Sequence, residues 1–192
     1  MRLFIAINLT DEIKDDINNQ LIDLKRELST FSLKWVKAEN MHITLKFLGD
    51  VSEDKLKILY NKMDQAAEII KQQSVKTGEI AAFPHLGYPR ILYLGLQERN
   101  EELIKLHSLL EDSLQSAGFK HDKNTYTPHI TLARTKRSTD MKKLSYRLKT
   151  YLQGEHKKIP TKSINIEKIF LMKSILRKEG PIYQEIYSSV LQ

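Results

Sequence analysis

The chain has 192 residues, 41% of them apolar and 29% charged, a composition typical of a folded globular protein with one domain or two small ones. It contains no cysteine, which excludes disulfides, thiolate metal ligands and a cysteine nucleophile, and fits a reducing cytosol. The 31 basic and 24 acidic residues give a formal net charge of +7, which favours an anionic partner, nucleic acid first among them.

The first half of the chain alternates strand and helix patterns. The apolar run from Leu3 to Leu9 is too short to span a membrane and is followed at once by Asp11 and Glu12, so it predicts a buried strand and not a signal peptide. The next predicted elements are one amphipathic helix from Thr10 to Phe31, a strand over 41–49, a helix capped by Ser52 and a strand over 75–83.

The order begins again after a stretch rich in proline and glycine, FPHLGYPR, at residues 83–90. The elements predicted after it are a strand over 90–96, a helix capped by Asn100 and closed by Gly118, a strand over 126–134, a helix begun by Ser138 or Thr139, and strands over 163–172 and 181–191 around a Gly180-Pro181 turn.

The tetrapeptide His-Ile-Thr-Leu occurs twice, beginning at His42 and at His129, 87 positions apart. The same offset superimposes the opening strand on residues 91–96 and aligns the helices that follow. We interpret this as an internal duplication. Because no flexible linker separates the copies, we predict a single domain over residues 1–192, made of two pseudo-symmetric lobes with a repeat boundary near 84–90.

The two His-x-Thr segments are predicted to present their polar side chains to a shared cleft. Residues two apart in a strand point the same way, so each histidine shares a face with the threonine two positions later, Thr44 or Thr131. The isoleucine and leucine between them face the core. A lone histidine on a strand is commonly an idle, hydrogen-bonded side chain, but the same pair in both lobes favours a functional role.

Paired histidines suit in-line displacement at phosphorus, in which a base and an acid act on opposite sides of the phosphate. Imidazole has an ordinary pKa near ~6.5, so both protonation states are accessible, and threonine hydroxyls can donate to phosphate oxygens. A His2Thr2 set is a poor metal site, and HExxH, Gly-x-Ser-x-Gly and Walker motifs are missing from the sequence. The residues therefore predict no metal and no cofactor.

At these motifs the chain resembles the 2H phosphoesterase superfamily and, within it, the bacterial and archaeal RNA 2′,3′-cyclic phosphodiesterases, historically called 2′-5′ RNA ligases. The resemblance runs nearly end to end, through MRLFIAINL, KWVKAENMHITLKFLGDV, FPHLGYPRILYLGL, YTPHITLAR and GPIYQEIY. It implies an α+β class and a bilobal duplicated fold, in which two antiparallel β-sheets line a central cleft and the helices lie outside.

The resemblance further implies hydrolysis of a terminal 2′,3′-cyclic phosphate, in RNA or small nucleotides, to a 2′-phosphate. In that comparison His42 matches the proton donor to the leaving 3′ oxygen and His129 matches the base that activates water. Thr44 and Thr131 match the phosphate-binding hydroxyls. The near-symmetric site leaves the donor and acceptor roles exchangeable.

Arg134 corresponds to an arginine that contacts phosphate in the family, but it lies five residues after His129. A regular strand would point it away from the histidine, so it reaches the site only if the strand ends or bulges after Leu132, or if the long side chain curls round the edge. Phe47, the repeat partner of Arg134, is predicted to lie in the core.

For other residues the sequence does not decide between a binding role and a structural role. Basic side chains beyond the second motif could track RNA phosphates or lie on a solvated surface: Lys136, Arg137, Lys142 and Lys143. Three aromatic residues could stack on a base or pack in the core: Trp35, Tyr88 and Tyr126. The remaining histidines are predicted to be non-catalytic or superficial: His85, His107, His121 and His156.

The preferred hypothesis is therefore a metal-independent hydrolase acting on RNA or nucleotide 2′,3′-cyclic phosphate ends, as a cytoplasmic monomer without a membrane segment. One alternative is ATP-independent joining of RNA ends through a 2′-5′ bond. The other is an RNA-binding module without turnover, although both intact His-Thr pairs count against it.

Overall fold

The computed structural model describes residues 1–97, 100–154, 159–178 and 180–192. The strands in these ranges are β1 (Arg2–Asn8), β2 (Leu33–Trp35), β3 (His42–Asp50), β4 (Gln73–His85), β5 (Tyr88–Leu96), β6 (His129–Thr135), β7 (Ser163–Ile166), β8 (Lys168–Arg177) and β9 (Gly180–Val190). The helices are α1 (Asp11–Gln20), α2 (Ile22–Glu27), α3 (Leu56–Ala67), α4 (Glu101–Ser116) and α5 (Met141–Leu152).

The strands follow the order β7-β4-β5-β6-β3-β1-β8-β9, and β2 pairs with β6. Every pairing is antiparallel, and the two four-strand halves meet between β3 and β6 through the single pair Ile43–Ile130. The α+β class is confirmed, and the two sheets of the lobes join edge to edge at this pair. The lobes are interleaved in sequence, because residues 83–90 include the turn of the β4–β5 hairpin.

In the described part of the chain, the helices cover one face of this sheet and leave the other uncovered. The core contains the apolar stripe of α4, namely Leu103, Leu106, Leu110 and Leu114, all 0% exposed, together with Leu59 and Met63 of α3 and Leu144 and Leu148 of α5. These side chains pack on strand residues including Ile43, Leu45, Ile130 and Leu132. Burying a leucine stabilises the fold by about 1.5–3 kcal/mol. Because strand side chains alternate, the opposite face, with the His-Thr pairs, stays open.

Several predicted element boundaries are wrong. The helix predicted from Thr10 to Phe31 is divided at Leu21 into α1 and α2. Ser52 precedes a 3₁₀ turn rather than α3 itself. The N-cap of α5 is Asp140, whose carboxylate accepts a hydrogen bond from the Lys143 amide at 3.1 Å. The Thr139 hydroxyl instead donates to the Ser32 carbonyl at 2.8 Å, so Thr139 ties the helix start to β2 and does not cap it.

The C-terminal strands also differ from the prediction. Residues 163–172 form two strands, β7 against β4 and β8 against β1, so the chain passes from one half of the sheet to the other at Glu167. The short strand β2 was missed because its three residues find a partner only in β6, distant in sequence. Within the described ranges, no helix is long and apolar enough to cross a membrane.

Candidate active site

The two His-x-Thr segments lie side by side at the junction of the two halves of the sheet. Ile43 and Ile130 are cross-strand partners. Because the strands run antiparallel about this pair, Thr44 is placed opposite His129, and Thr131 opposite His42. The four polar side chains therefore alternate around one centre on the open face.

The same backbone contact orients both imidazole rings. The Nδ1 of His42 lies 2.8 Å from the Asn40 carbonyl oxygen, and the Nδ1 of His129 lies 2.7 Å from that of Thr127. A carbonyl only accepts, so Nδ1 carries the proton and donates in both rings. Each neutral histidine therefore presents an unprotonated Nε2 to the cleft.

Each ring is held by two aromatic neighbours. The His42 ring centroid lies 4.9 Å from Phe4 and 5.3 Å from Tyr183. The His129 centroid lies 5.0 Å from Phe83 and 5.1 Å from Tyr93. These contacts fix the rings in position and surround them with apolar material.

That environment favours the neutral form of both histidines. Burial lowers the pKa of His42 to about 4; the positive charges of Arg134 and Lys14, and of His129 when it is protonated, act in the same direction, against the Asn40 carbonyl. Burial also lowers the pKa of His129, again with Arg134 acting in the same direction. Both rings flank the cross-strand pair Ile43–Ile130, so they lie on the same face at the junction of the two halves of the sheet.

The low pKa of His42 predicts a loss of stability in acid. The unfolded chain binds a proton near pH ~6.5 and the folded chain only near pH 4, so unfolding becomes easier as the pH falls between these values. We expect the free energy of unfolding to fall between pH 7 and pH 4 by about 3 kcal/mol more in the native protein than in His42→Gln. Urea unfolding of both proteins at a series of pH values measures this, and equal slopes would contradict it.

Thr44 is already engaged with its histidine. Its hydroxyl lies 3.0 Å from His42 Nε2, and because that nitrogen is unprotonated the threonine is the donor. An anionic oxygen entering the cleft would compete for this hydroxyl proton. Anion binding and protonation of His42 are thereby coupled, since losing the Thr44 donor frees Nε2 to take a proton.

Arg134 reaches the same face because β6 bulges. Its partners on β5 shift register between Leu92–Ala133 and Tyr93–Thr131, so that Leu132 and Ala133 are both fully buried and the alternation is reset. The guanidinium is exposed and acts electrostatically on both histidines. Of the ways in which Arg134 was predicted to reach the site, the bulge is the one that the structure shows.

The prediction that Phe47 lies in the core is wrong, for the same reason. Strand β3 shifts register against β1 between Lys46 and Thr44, and Leu45 and Lys46 are both buried. Phe47 is turned out to the open face with 63% exposure. The two lobes thus carry equivalent bulges that present an aromatic ring in one and a guanidinium in the other.

A buried ionic cluster beneath the cleft was missed by the sequence interpretation. Lys46 Nζ lies 2.6 Å from Glu111 Oε1, with side-chain exposures of 1% and 2%. The Asp122 amide donates to the other carboxylate oxygen at 2.9 Å. Burial alone would raise the pKa of Glu111, but these hydrogen bonds outweigh it and lower the pKa.

His107 belongs to this cluster, so its predicted surface position is wrong. Its side chain is only 13% exposed, lies 3.7 Å from Glu111 and stacks on Tyr126 at 4.0 Å. The Tyr126 hydroxyl donates to the Thr44 carbonyl at 3.1 Å and so ties the segment before His129 to β3. The four-residue spacing of His107 and Glu111 on the apolar face of α4 was the available signal.

The remaining candidate residues lie at several different places in the structure. His121 is exposed, as predicted; His85, which is predicted to be non-catalytic, is exposed too, and His156 lies outside the described residues. Trp35 lines a cavity that it shares with Arg134, and the ring of Tyr88 lies against the guanidinium of Arg90. Lys142 and Lys143 line a separate cavity with Arg26, Glu27 and Arg147, away from the histidines. Among the described residues no three His, Asp or Glu side chains cluster as metal ligands, and the metal-free mechanism stays a prediction.

A curled α+β sheet that presents two His-x-Thr strands to one cleft defines the class of two-histidine phosphoesterases. The family model described as LigT like Phosphoesterase matches residues 7–93 and again 94–183. The chain belongs to this family.

Named relatives and a solved structure agree with the assignment. The chain is 34% identical over 186 residues to the RNA 2′,3′-cyclic phosphodiesterase of Methanocaldococcus jannaschii, covering 97% of this chain and 98% of that one. It is 31% identical over 188 residues to the protein of the same name from Archaeoglobus fulgidus, again covering 97% and 98%. The crystal structure of Escherichia coli LigT complexed with 3′-AMP shares the fold, with a TM-score of 0.74, 23% identity and coverage of 99% and 97%.

Proposed function

We propose that this protein hydrolyses the 2′,3′-cyclic phosphate end of RNA or of a nucleotide to a 2′-phosphate, without a metal ion. The observation that carries the proposal is the pair of imidazoles. In each ring Nδ1–H donates to a backbone carbonyl, and Nε2 points to the same face of the sheet. The names of the relatives supply the substrate class.

In the proposed reaction His129 takes a proton from water as the water oxygen attacks phosphorus. The bond from phosphorus to the 3′ oxygen breaks on the opposite side, and His42 gives its proton to that oxygen. The two histidines end with exchanged protonation states, which solvent restores. Thr44, Thr131 and Arg134 bind the non-bridging oxygens, where charge accumulates in the transition state.

His42 can act as the proton donor only if bound substrate raises its pKa. With a pKa of about 4 the free protein holds very little His42 in the protonated form at neutral pH. The negative phosphodiester, placed beside Nε2, favours imidazolium by direct attraction and by drawing the Thr44 hydroxyl away. The acid is therefore formed in the complex, which restricts proton transfer to bound substrate.

The proposal covers the whole chain as one unit. Residues 1–192 would act as a single domain of two pseudo-symmetric lobes with a repeat boundary in the sequence near 84–90; the two consecutive matches of the family model, over 7–93 and 94–183, support the repeat. Both histidines and both threonines come from one copy, which supports a monomer. A cytoplasmic location rests on the cysteine-free composition.

We expect turnover of an oligonucleotide ending in a 2′,3′-cyclic phosphate to be unchanged by EDTA, and phosphorus NMR to identify the product as a 2′-phosphate. Activity lost in EDTA and restored by a divalent cation would contradict the metal-free mechanism. Binding without turnover would favour an RNA-binding module. A joined product in the presence of a 5′-hydroxyl oligonucleotide would favour the ligase.

A further inference from the structure

Two chemically different cavities open on either side of the histidine pair. The aromatic mouth, of about 650 Å³, is lined by His129 and by apolar side chains that include Phe47, Phe83 and Tyr126. The cationic mouth, of about 180 Å³, is lined by Lys34, Lys37 and Arg134 together with Trp35 and Tyr183. Tyr183 contacts the ring of His42, so each mouth adjoins one histidine.

A third cavity adjoins both mouths. It has a volume of about 480 Å³ and shares Phe47 with the aromatic mouth and Arg134 and Tyr183 with the cationic mouth. The shared residues place both mouths on the same open face of the sheet.

The cationic mouth contains like charges held together. Lys34 on β2 and Arg134 on β6 are direct cross-strand partners, so their side chains share a face at the shortest inter-strand spacing. Like charges in such a pair repel. Among the described residues neither has a carboxylate within 4.0 Å, and Lys37 has only Glu39 at 3.6 Å, with both side chains more than half exposed. An anion would relieve this repulsion.

The aromatic mouth lacks such an excess. Its buried Lys46 is neutralised by Glu111, and Asp122 also lines the cavity. Arg90 lies over the ring of Tyr88 at 5.2 Å. Apolar rings in this mouth fit a flat nucleobase better than a second phosphate.

On the strength of the proposed function, we propose that the cationic mouth binds the phosphodiester that links the terminal nucleotide to the preceding one, through Lys34 and Lys37. In a ribose with a 2′,3′-cyclic phosphate, the base is attached next to the 2′ side, and the 5′ oxygen with its phosphate lies beyond the 3′ side. A base in the aromatic mouth thus directs the upstream phosphate to the cationic mouth. It also turns the leaving 3′ oxygen toward His42, as the donor role requires.

The test combines a protein variant with a substrate variant. Three substrates are compared: a nucleoside 2′,3′-cyclic phosphate, a dinucleotide with the same end, and that dinucleotide with a neutral methylphosphonate linkage. For Lys34→Ala/Lys37→Ala we expect kcat/KM on the charged dinucleotide to fall about five- to tenfold. The nucleoside and the neutral dinucleotide should change less than twofold.

The control is Lys142→Ala/Lys143→Ala, which removes the same charge from the separate cavity near α5. Equal losses on all three substrates, equal losses in the control, or no loss in Lys34→Ala/Lys37→Ala would each overturn the assignment. Inactivity of the native protein on every substrate would contradict the proposed function instead. Binding to the cationic mouth can then be tested without turnover. Fluorescence anisotropy compares labelled dinucleotides with a 2′-phosphate end, one with a charged phosphodiester linkage and one with a neutral methylphosphonate linkage.

Discussion

Replacing either His42 or His129 by alanine is expected to lower kcat on a cyclic phosphate substrate by about 10²–10⁴-fold, the range that one positioned proton-transfer group contributes. Each ring has a defined tautomer, and the other histidine cannot take over its role, because base and acid act on opposite sides of phosphorus. Removing both should lower kcat little further, since the two groups act in a single step.

The matched control is His85→Ala, which removes an exposed imidazole whose Nδ1 accepts a hydrogen bond from the Gly87 amide at 3.1 Å. It should retain native kcat. Thermal unfolding of all variants must show a folded protein for the comparison to be valid. Either single variant with a kcat within threefold of the native value would refute the paired mechanism.

A sulfur leaving atom separates the two roles. A substrate with sulfur in place of the 3′ oxygen needs little proton donation, because a thiolate is a far better leaving group than an alkoxide. This substrate should rescue His42→Ala and leave His129→Ala slow. Rescue of His129→Ala alone would exchange the acid and base assignments that the near-symmetric site permits.

Sequence reasoning was successful where the signal is local and periodic. Alternation within short strands correctly places His42, Thr44, His129 and Thr131 on one open face, while their chemical roles stay predictions. The buried face of α4 is equally predictable, since its leucines recur at helical spacing.

The failures around the site depend on pairing between distant segments. A bulge shifts the alternation by one residue, and nothing within HITLKF or HITLAR marks where the partner strand will slip. Phe47 was therefore predicted on the wrong face, and Arg134 could be placed only conditionally. Lys46 reads as a surface lysine until α4 supplies Glu111, a partner 65 positions away.

That buried pair gives the second large effect, on stability. Glu111→Gln leaves the Lys46 ammonium buried without a counter-charge, and we expect the free energy of unfolding to fall by about 3–5 kcal/mol. Urea unfolding at pH 7 measures it. The matched control lies on the same helix: Glu102 faces Lys105 at 3.8 Å with both side chains about half exposed, so Glu102→Gln should change the free energy by less than about 1 kcal/mol.

The double variant Lys46→Met/Glu111→Leu distinguishes the buried charge from lost packing. It removes both ions and fills the space with apolar atoms, so most of the stability lost in Glu111→Gln should return. Glu111 also holds the Asp122 amide, on the segment that leads through Tyr126 to His129, so the double variant should still turn over more slowly than the native protein although it is stable. A destabilisation by Glu111→Gln no larger than that by Glu102→Gln would show that water reaches Lys46, and the cluster would then not hold this segment in place.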